Sequence, residues 1–182
     1  MLSADRLSTL ATYDQYTGDI TWLPRTPDMF LCRANERTRV CARFNKLWAG
    51  KVAGHKNSMG YIVLNINQKT IQAHRAAWAL HCGSWPFGQI DHENGNRSDN
   101  RIENLRDVTS GENAKNRCIH SNNTSGYMGV HFHKRSGKWH ARIMESRVRS
   151  HLGSFDTEED AAAAYVECAK KMNFHENHGR KS

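Results

Sequence analysis

Apolar and polar residues along the chain change period several times, and each change marks an expected element. Tyr13-Asp14-Gln15-Tyr16-Thr17-Gly18-Asp19-Ile20-Thr21-Trp22 places strand formers on either side of a Gly-containing turn, a hairpin pattern. Thr26-Pro27-Asp28 reads as a turn, and residues 1–58 as a whole read as short strands and turns. A second hairpin follows, from Gly60-Tyr61-Ile62-Val63-Leu64-Asn65-Ile66 through Asn67-Gln68-Lys69 to Thr70-Ile71-Gln72-Ala73. Ala73 to Cys82 is Ala-rich and carries Trp78 and Leu80, which predicts a short buried helix stopped by Gly83. Ser84-Trp85-Pro86-Phe87-Gly88 is a turn, and Ile90 begins a strand. Leu105 to Val108 is a further short strand, and Thr109 with Glu112 has the spacing of a capping box that opens a helix.

The C-terminal part has a cleaner period. Ser121-Asn122-Asn123-Thr124-Ser125-Gly126 is a polar, turn-rich stretch that reads as a linker. Beyond it Val130 and Phe132 alternate with His131 and His133, and Trp139, Ala141 and Ile143 alternate with His140, Arg142 and Met144. Val148, Ser150 and Leu152 alternate with Arg149 and His151. Period two gives a sheet with one apolar and one basic face. From Thr157 to Met172 the apolar positions Ala161, Ala164, Tyr165, Cys168 and Met172 fall on one helical face, which would cover that sheet. Thr157 is the expected N-cap, with Glu158, Glu159 and Asp160 in the first turn. The expected class is α+β in four stretches: a small β-rich basic region (1–58), a strand–loop–strand–helix unit (59–118), a linker (119–125), and a three-stranded antiparallel sheet on one helix (126–182).

Charge narrows the partner. Lys plus Arg number 26 against 18 Asp plus Glu, a formal charge of +8, and 11 histidines add latent positive charge. Such a surplus points to a polyanion, most often nucleic acid. Arg33, Arg37, Arg39, Arg43, Lys46 and Lys51 accumulate in the first region with few acids, which reads equally as a DNA-backbone contact surface or as a solvated basic face. No stretch approaches the length of a membrane span, and Met1-Leu2-Ser3-Ala4-Asp5-Arg6 lacks a secretion leader, so no membrane partner is expected. The five cysteines (Cys32, Cys41, Cys82, Cys118, Cys168) are scattered and never form CxxC, which argues against a disulfide framework or a Cys-rich zinc site. A cytoplasmic setting with reduced thiols fits them.

The segment Ile90-Asp91-His92-Glu93-Asn94-Gly95-Asn96, continuing to Ile102-Glu103-Asn104-Leu105-Arg106-Asp107-Val108-Thr109-Ser110-Gly111-Glu112-Asn113, carries the chemistry. A strand ends in an acid and a histidine, a polar loop follows, and a return strand leads into a helix. Phosphodiester hydrolysis needs a nucleophilic water and stabilisation of charge on phosphate and leaving oxygen. A hard cation such as Mg²⁺ takes oxygen ligands, often only one or two from protein. Asp91 offers a carboxylate and Asn113 an amide oxygen for this purpose. His92 points to the opposite face of the strand from Asp91 and suits general-base work. Taken singly, Asp-His and Asn-Gly are ordinary turn dipeptides.

The Asp-His pair, the Asn twelve residues after the His and the Asn twenty-one after it resemble the HNH (ββα-metal) endonuclease family, especially its phage homing-endonuclease-like branch. The resemblance implies that Asp91 and Asn113 are metal ligands, that His92 is the general base, and that Asn104 braces the loop so that His92 is aimed. The third letter of the motif is then Asn rather than His. His74-Arg75, within Ile71-Gln72-Ala73-His74-Arg75-Ala76-Ala77-Trp78, also looks like this branch, which implies contact with the scissile phosphate. One divalent ion, Mg²⁺ or Mn²⁺, is the implied cofactor, with no small-molecule cofactor.

Gly126-Tyr127-Met128-Gly129-Val130, Leu152-Gly153-Ser154-Phe155-Asp156 and Ala161-Ala162-Ala163-Ala164-Tyr165 resemble the AP2/ERF DNA-binding domain. That family lays a three-stranded sheet in the major groove, so His131, His133, Arg135, His140, Arg142, Arg149 and His151 are the implied DNA-facing residues. Histidines stand where the plant pattern has arginine or Trp, which shifts the expectation from GC-rich base readout toward phosphate contact. The histidines lack a zinc-like ligand spacing.

Three functions fit these observations. The first is a metal-dependent DNA endonuclease placed on double-stranded DNA by the AP2-like module, in the cytoplasm of a bacterial or phage-infected cell. The second is a DNA-binding regulator without catalysis, and the third an RNA-cleaving nuclease. The complete set Asp91, His92, Asn104 and Asn113 favours cutting, and a groove-fitting sheet rather than an aromatic stacking platform favours DNA. One centre per chain cuts one strand, so a monomer would nick and a homodimer could break both strands.

Overall fold

The computed structural model describes residues 2–119, 122–145, 148–176 and 178–180. His120 and Ser121, within the expected linker at 119–125, lie outside the described residues. The chain divides into two compact units, Met1–Asp107 and Val108–Ser182. Among the described residues no helix is long and apolar enough to cross a membrane.

In the first unit a short helix α1 (Ala4–Ser8), capped by the Ser3 hydroxyl, buries Leu7 completely. The expected first hairpin forms from β1 (Ala11–Tyr13) and β2 (Ile20–Trp22), antiparallel with Thr12 opposite Thr21. Its turn contains Gly18 at φ +80°, where a Cβ would run into the backbone of Asn100 and Arg101. Glycine is therefore needed for close approach as well as for the turn. The Tyr13 hydroxyl donates to Asn100 O (2.7 Å), and Ile102 N donates to Gln15 O (3.3 Å), so this hairpin buttresses the later loop.

Within the stretch expected to hold only short strands and turns, the structure adds a twelve-residue helix, α2 (Arg37–Trp48). Its inward side carries Cys41, buried, and Phe44 packed against the core. Asn45 fastens it to the preceding segment, accepting from Arg25 N (2.8 Å) and donating to Arg25 O (2.9 Å). The Arg25 guanidinium lies 4.0 Å from the Phe44 ring centroid, with Trp22 and Phe30 on its other sides. Apolar positions 40, 41, 44 and 48 do recur at helical spacing, but Arg37, Arg39, Arg43 and Lys46 dilute the pattern.

A three-stranded sheet follows, β3 (His55–Lys56), β4 (Ile62–Ile66) and β5 (Lys69–Gln72), in that spatial order. Asn67 and Gln68, at φ 51° and 63°, close the expected second hairpin with the left-handed geometry that tight hairpin turns require. Helix α3 (Ala73–Cys82) then buries Ala73, Ala76, Ala77 and Ala79 against Leu7, Ile20, Leu64 and Ile66, and Gly83 at φ 72° ends it. Small side chains let the helix sit close to the sheets, and the left-handed cap is one that glycine adopts without strain. The strand β6 (Gln89–His92) pairs with β7 (Leu105–Val108), and Ile90 and Leu105 join the same core.

The second unit begins with α4 (Ser110–Ala114), whose expected capping box is complete: Thr109 Oγ1 accepts from Glu112 N and the Glu112 carboxylate accepts from Thr109 N. Strands β8 (Val130–His133), β9 (Lys138–Glu145) and β10 (Val148–Phe155) form an antiparallel meander in the order β10-β9-β8. Helix α5 (Glu158–Lys171), capped by Thr157, covers one face through Ala161, Ala162, Tyr165 and Ala169 over Val130, Ala141 and Ile143. Gly129, at φ +70°, is fixed by packing: a Cβ there would overlap the Tyr165 ring and the Arg142 carbonyl. The α+β class and the sheet-on-helix arrangement are as the sequence predicts.

Candidate functional site

Strand β6 delivers two adjacent polar residues into nearly closed surroundings, with Asp91 7% and His92 4% exposed. Neighbouring strand residues face opposite ways, so each meets a different environment. Asp91 Oδ2 accepts from Arg106 Nη2 at 2.7 Å, a charge-assisted contact from the return strand β7. His92 Nε2 lies 3.3 Å from Asn100 Oδ1, itself buried. The His92 ring packs edge-on to His74 (centroids 5.0 Å) and tilted against Tyr61 (5.9 Å).

Burial is the largest influence on both imidazoles. It pushes the His92 pKa below its ordinary value, although Asn100 and Asp91 oppose the shift. His74, 3% exposed, is pushed down to about 3 by burial first and then by His92 and Arg75. Both rings are therefore neutral at pH 7, the state a proton acceptor needs. A neutral His92 protonated at Nε2 toward Asn100 carries its lone pair on Nδ1.

The loop between the two strands is tied across its middle by Asn104, 5% exposed. Its Oδ1 accepts from Asn94 N (2.9 Å), its Nδ2 donates to Asp99 O (2.8 Å), and its backbone carbonyl accepts from Glu93 N (2.9 Å). Asp99 adds a second tie. Arg101 grips its carboxylate from Nε (2.9 Å) and Nη2 (2.8 Å), Asn94 Nδ2 donates to it (2.8 Å), and the Arg101 contact leads in lowering its pKa to about 2. The loop opens on Gly95, whose φ of 75° lets its N–H turn back to His92 O.

Asn113 lies on α4, in the second unit. His74 and Arg75 open α3, where His74 packs on His92 and Tyr61, and Arg75 donates to Gly88 O (2.9 Å) and Pro86 O (3.3 Å). The sequence reading missed Asn100, Tyr61 and Arg106. Asn100 and Tyr61 reach His92 only through the folded loop and the second hairpin, which no spacing rule reveals. Arg106 sits on the strand expected to return beside Asp91, so a charge on that strand was the available signal.

Metal chemistry can be tested against the donors. Among the described residues no three His, Cys, Asp or Glu side chains gather into a cage. The Asp91 carboxylate is a hard oxygen donor, the type Mg²⁺ and Mn²⁺ take while keeping most of their water. The Asp91 carboxylate already sits against a cation, the Arg106 guanidinium, so this oxygen faces positive charge in the fold. A carboxylate oxygen is the donor type a hard divalent ion takes, and an ion at Asp91 would share that carboxylate with the Arg106 guanidinium.

In the second unit, cross-strand register gathers the expected polar residues on the face opposite α5. His131 stands opposite His140, His133 opposite Lys138, Arg142 opposite His151, and Arg149 opposite Met144. His133 stacks on His140 with centroids 4.6 Å apart, and His131 and His151 contact the same ring at 5.5 and 5.1 Å. Arg135 is exposed in the β8–β9 turn. A bulge between His151 and Gly153 shifts the register at the far end of β10.

Residues 72–115 match the HNH endonuclease family model and residues 125–175 the AP2 domain model, so the chain carries both domains. An ethylene-responsive transcription factor of Medicago truncatula is 44% identical over 57 residues, which cover 30% of this chain and 21% of the relative. An AP2-like ethylene-responsive transcription factor of Arabidopsis thaliana is 41% identical over 49 residues, 27% of this chain and 10% of the relative. The chain thus spans about a fifth or less of the length of these relatives. No solved structure matches at a comparable level.

Proposed function

We propose that the chain is a metal-dependent DNA endonuclease of the phage homing-endonuclease-like HNH branch, held on double-stranded DNA by its AP2 domain. The observation that carries this reading is the neutral, buried His92, fixed against Asn100 on a loop that Asn104 ties at two backbone points. In the proposed reaction His92 accepts the proton of the attacking water. Asn104 acts through the loop, keeping His92 aimed rather than touching substrate. Asp91 and Asn113 would hold the divalent ion, Mg²⁺ or Mn²⁺. When bound, that ion polarises the phosphate and stabilises charge on the leaving oxygen. Arg106 fixes the Asp91 carboxylate on the strand through its Oδ2. His74 orients His92 by ring packing, and Arg75 shapes the turn before β6. From these positions the pair would approach the scissile phosphate.

The AP2 sheet supplies the second hold, through His131, His133, Arg135, His140, Arg142, Arg149 and His151. The chain then divides into a basic region (1–58), the nuclease unit (59–118), a linker (119–125) and the AP2 unit (126–182). A single centre cuts one strand, so the monomer nicks and a homodimer is required for a concerted double-strand break. A cytoplasmic location in a bacterial or phage-infected cell accords with the unpaired state of the five cysteines.

Supercoiled plasmid incubated with the protein and Mg²⁺ tests the reading. Conversion to open-circular or linear DNA is expected, abolished by EDTA and reduced at least about a hundredfold by His92→Ala, the scale of a lost general base. Cleavage untouched by His92→Ala would overturn it. DNA binding by the wild-type chain with no cutting under Mg²⁺ or Mn²⁺ would assign the chain to the non-catalytic regulators instead.

A further inference from the structure

The turn that precedes β6 is tied by four hydrogen bonds from charged side chains to its backbone. Pro86 is buried, and the Trp85 ring packs on the core with its Nε1 donating to Leu2 O (2.7 Å). From one side the Arg75 guanidinium holds the carbonyls of Pro86 and Gly88, at 3.3 and 2.9 Å. From the other the Asp107 carboxylate takes the N–H groups of Phe87 and Gly88, both at 2.8 Å. Two charged side chains, one from a helix and one from a strand, thus fix the backbone of three consecutive residues. At the apex of this clamp the Phe87 side chain is fully exposed, at 103% of its reference area.

A lone exposed apolar residue is ordinary on a protein surface. Phe87 differs because the carbonyls on either side of it are held by Arg75 while its own N–H is held by Asp107. A turn that only joined α3 to β6 would accept a polar side chain at this position, and would need no such clamp. The apex lies four residues ahead of Asp91 and within the HNH match at residues 72–115.

We infer that the 84–88 turn presents Phe87 as an apolar wedge that inserts between stacked base pairs of duplex DNA during engagement of the nuclease domain. Phenylalanine is among the side chains suited to insertion, being flat, apolar and able to take the place of a base in the stack. Prior fixing of the backbone means little ordering is left to be done on insertion. Duplex DNA is the partner this apex fits, because the chain carries an HNH and an AP2 domain and a formal charge of +8. Partial unstacking would open the backbone locally and expose a phosphodiester to the cutting centre. This inference rests on the DNA-endonuclease reading above.

The test uses the full chain carrying His92→Ala, in EDTA, so that DNA stays uncut. A relaxed closed-circular plasmid is incubated with this protein and a metal-independent topoisomerase, then stripped of protein. The wedge predicts a shift in linking number, lost with Phe87→Ala and with Phe87→Gln and partly recovered with Phe87→Leu. Affinity for a mixed-sequence duplex should fall about tenfold in the Ala variant, within the range of one aromatic stacking contact, while its salt dependence is unchanged. The thermal midpoint should not move, since the ring is fully exposed in the free protein. The wedge is overturned if the parent binds the plasmid without unwinding it, or if the Ala and Gln variants unwind it as well as the parent. A change from dimer to monomer on Phe87→Ala with unwinding intact would make the turn an interface between copies and likewise overturn it. A chain that binds no DNA overturns both this inference and the reading it rests on. A chain that nicks with His92 intact yet never unwinds overturns the wedge alone.

Discussion

Asn104 gives the sharpest residue-scale expectation, because its amide is used in both directions. Asn94 N and Asp99 O are joined through one side chain, across the loop that carries the approach to His92. Removing it leaves a part-buried donor and a part-buried acceptor without that partner, at a net cost of about 1 kcal/mol each. Asn104→Ala should therefore lower the unfolding free energy by about 2 kcal/mol, read as a lower denaturant midpoint at constant slope. If Asn104 positions His92, kcat should fall while KM for plasmid barely moves. Asn104→Asp keeps the acceptor for Asn94 N but loses the donor to Asp99 O, so it should recover only part of either loss. An equal fall in KM and kcat, or unchanged kcat with the midpoint lowered, would count against the positioning role. His74 shows the same logic with different chemistry. Pushed down to about 3 by burial, it stays neutral wherever the protein is folded near neutrality, so it packs on His92 without repelling a proton there.

At the scale of elements, α2 carries a basic face that fits either a polyanion or plain solvation. Residues 25–56 hold eight Lys or Arg and two acids. Arg39, Arg43 and Lys46 are all exposed, and their spacing of four and seven puts them on one helical face, away from Cys41 and Phe44. If that face lies along DNA, Arg39→Gln, Arg43→Gln and Lys46→Gln together should flatten the plot of log affinity against log salt by about three, near 0.9 for each phosphate no longer neutralised. An unchanged slope would leave these cations as a solvated face. The helix itself was missed in the sequence because cations mask its apolar stripe, whereas β8 to β10 announced themselves through strict alternation. The capping box at Thr109 and Glu112 and the cap at Thr157 were legible for the same reason: each is a local hydrogen bond between residues three apart. What was not legible is long-range. Gly18 reads as a turn residue, yet its absent side chain also makes room for the Asn100 backbone. Asn100 in turn reaches His92, and nothing in the spacing of these three positions announces it.

For the whole molecule, DNA laid on the histidine face would make affinity a function of pH as well as of salt. His131 and His140 are both held below the ordinary imidazole pKa, by desolvation first and then by the charges around them: Arg142 for His131, and His133 and His151 for His140. Arg149 adds to the shift at His131, and among the described residues Lys138 and the turn cation Arg135 also stand at that face, with Glu112, Lys115 and Arg117 near its His131 and Arg142 end. In the free protein these two imidazoles are neutral at pH 7.5. Phosphates laid against the sheet would favour the protonated form, so the bound state takes up protons that the free state does not. By linkage, affinity must then rise as pH falls from about 7.5 to 6, and the rise must continue below 6 because the free-state values are depressed. Replacing His131, His133, His140 and His151 together by Gln should flatten that dependence while Arg142 and Arg149 keep the salt slope. Fluorescence anisotropy of a labelled duplex at fixed ionic strength measures both. Affinity that stays level from pH 7.5 to 6 in the wild-type chain would mean that DNA meets the arginines of this sheet and leaves its histidines outside the contact.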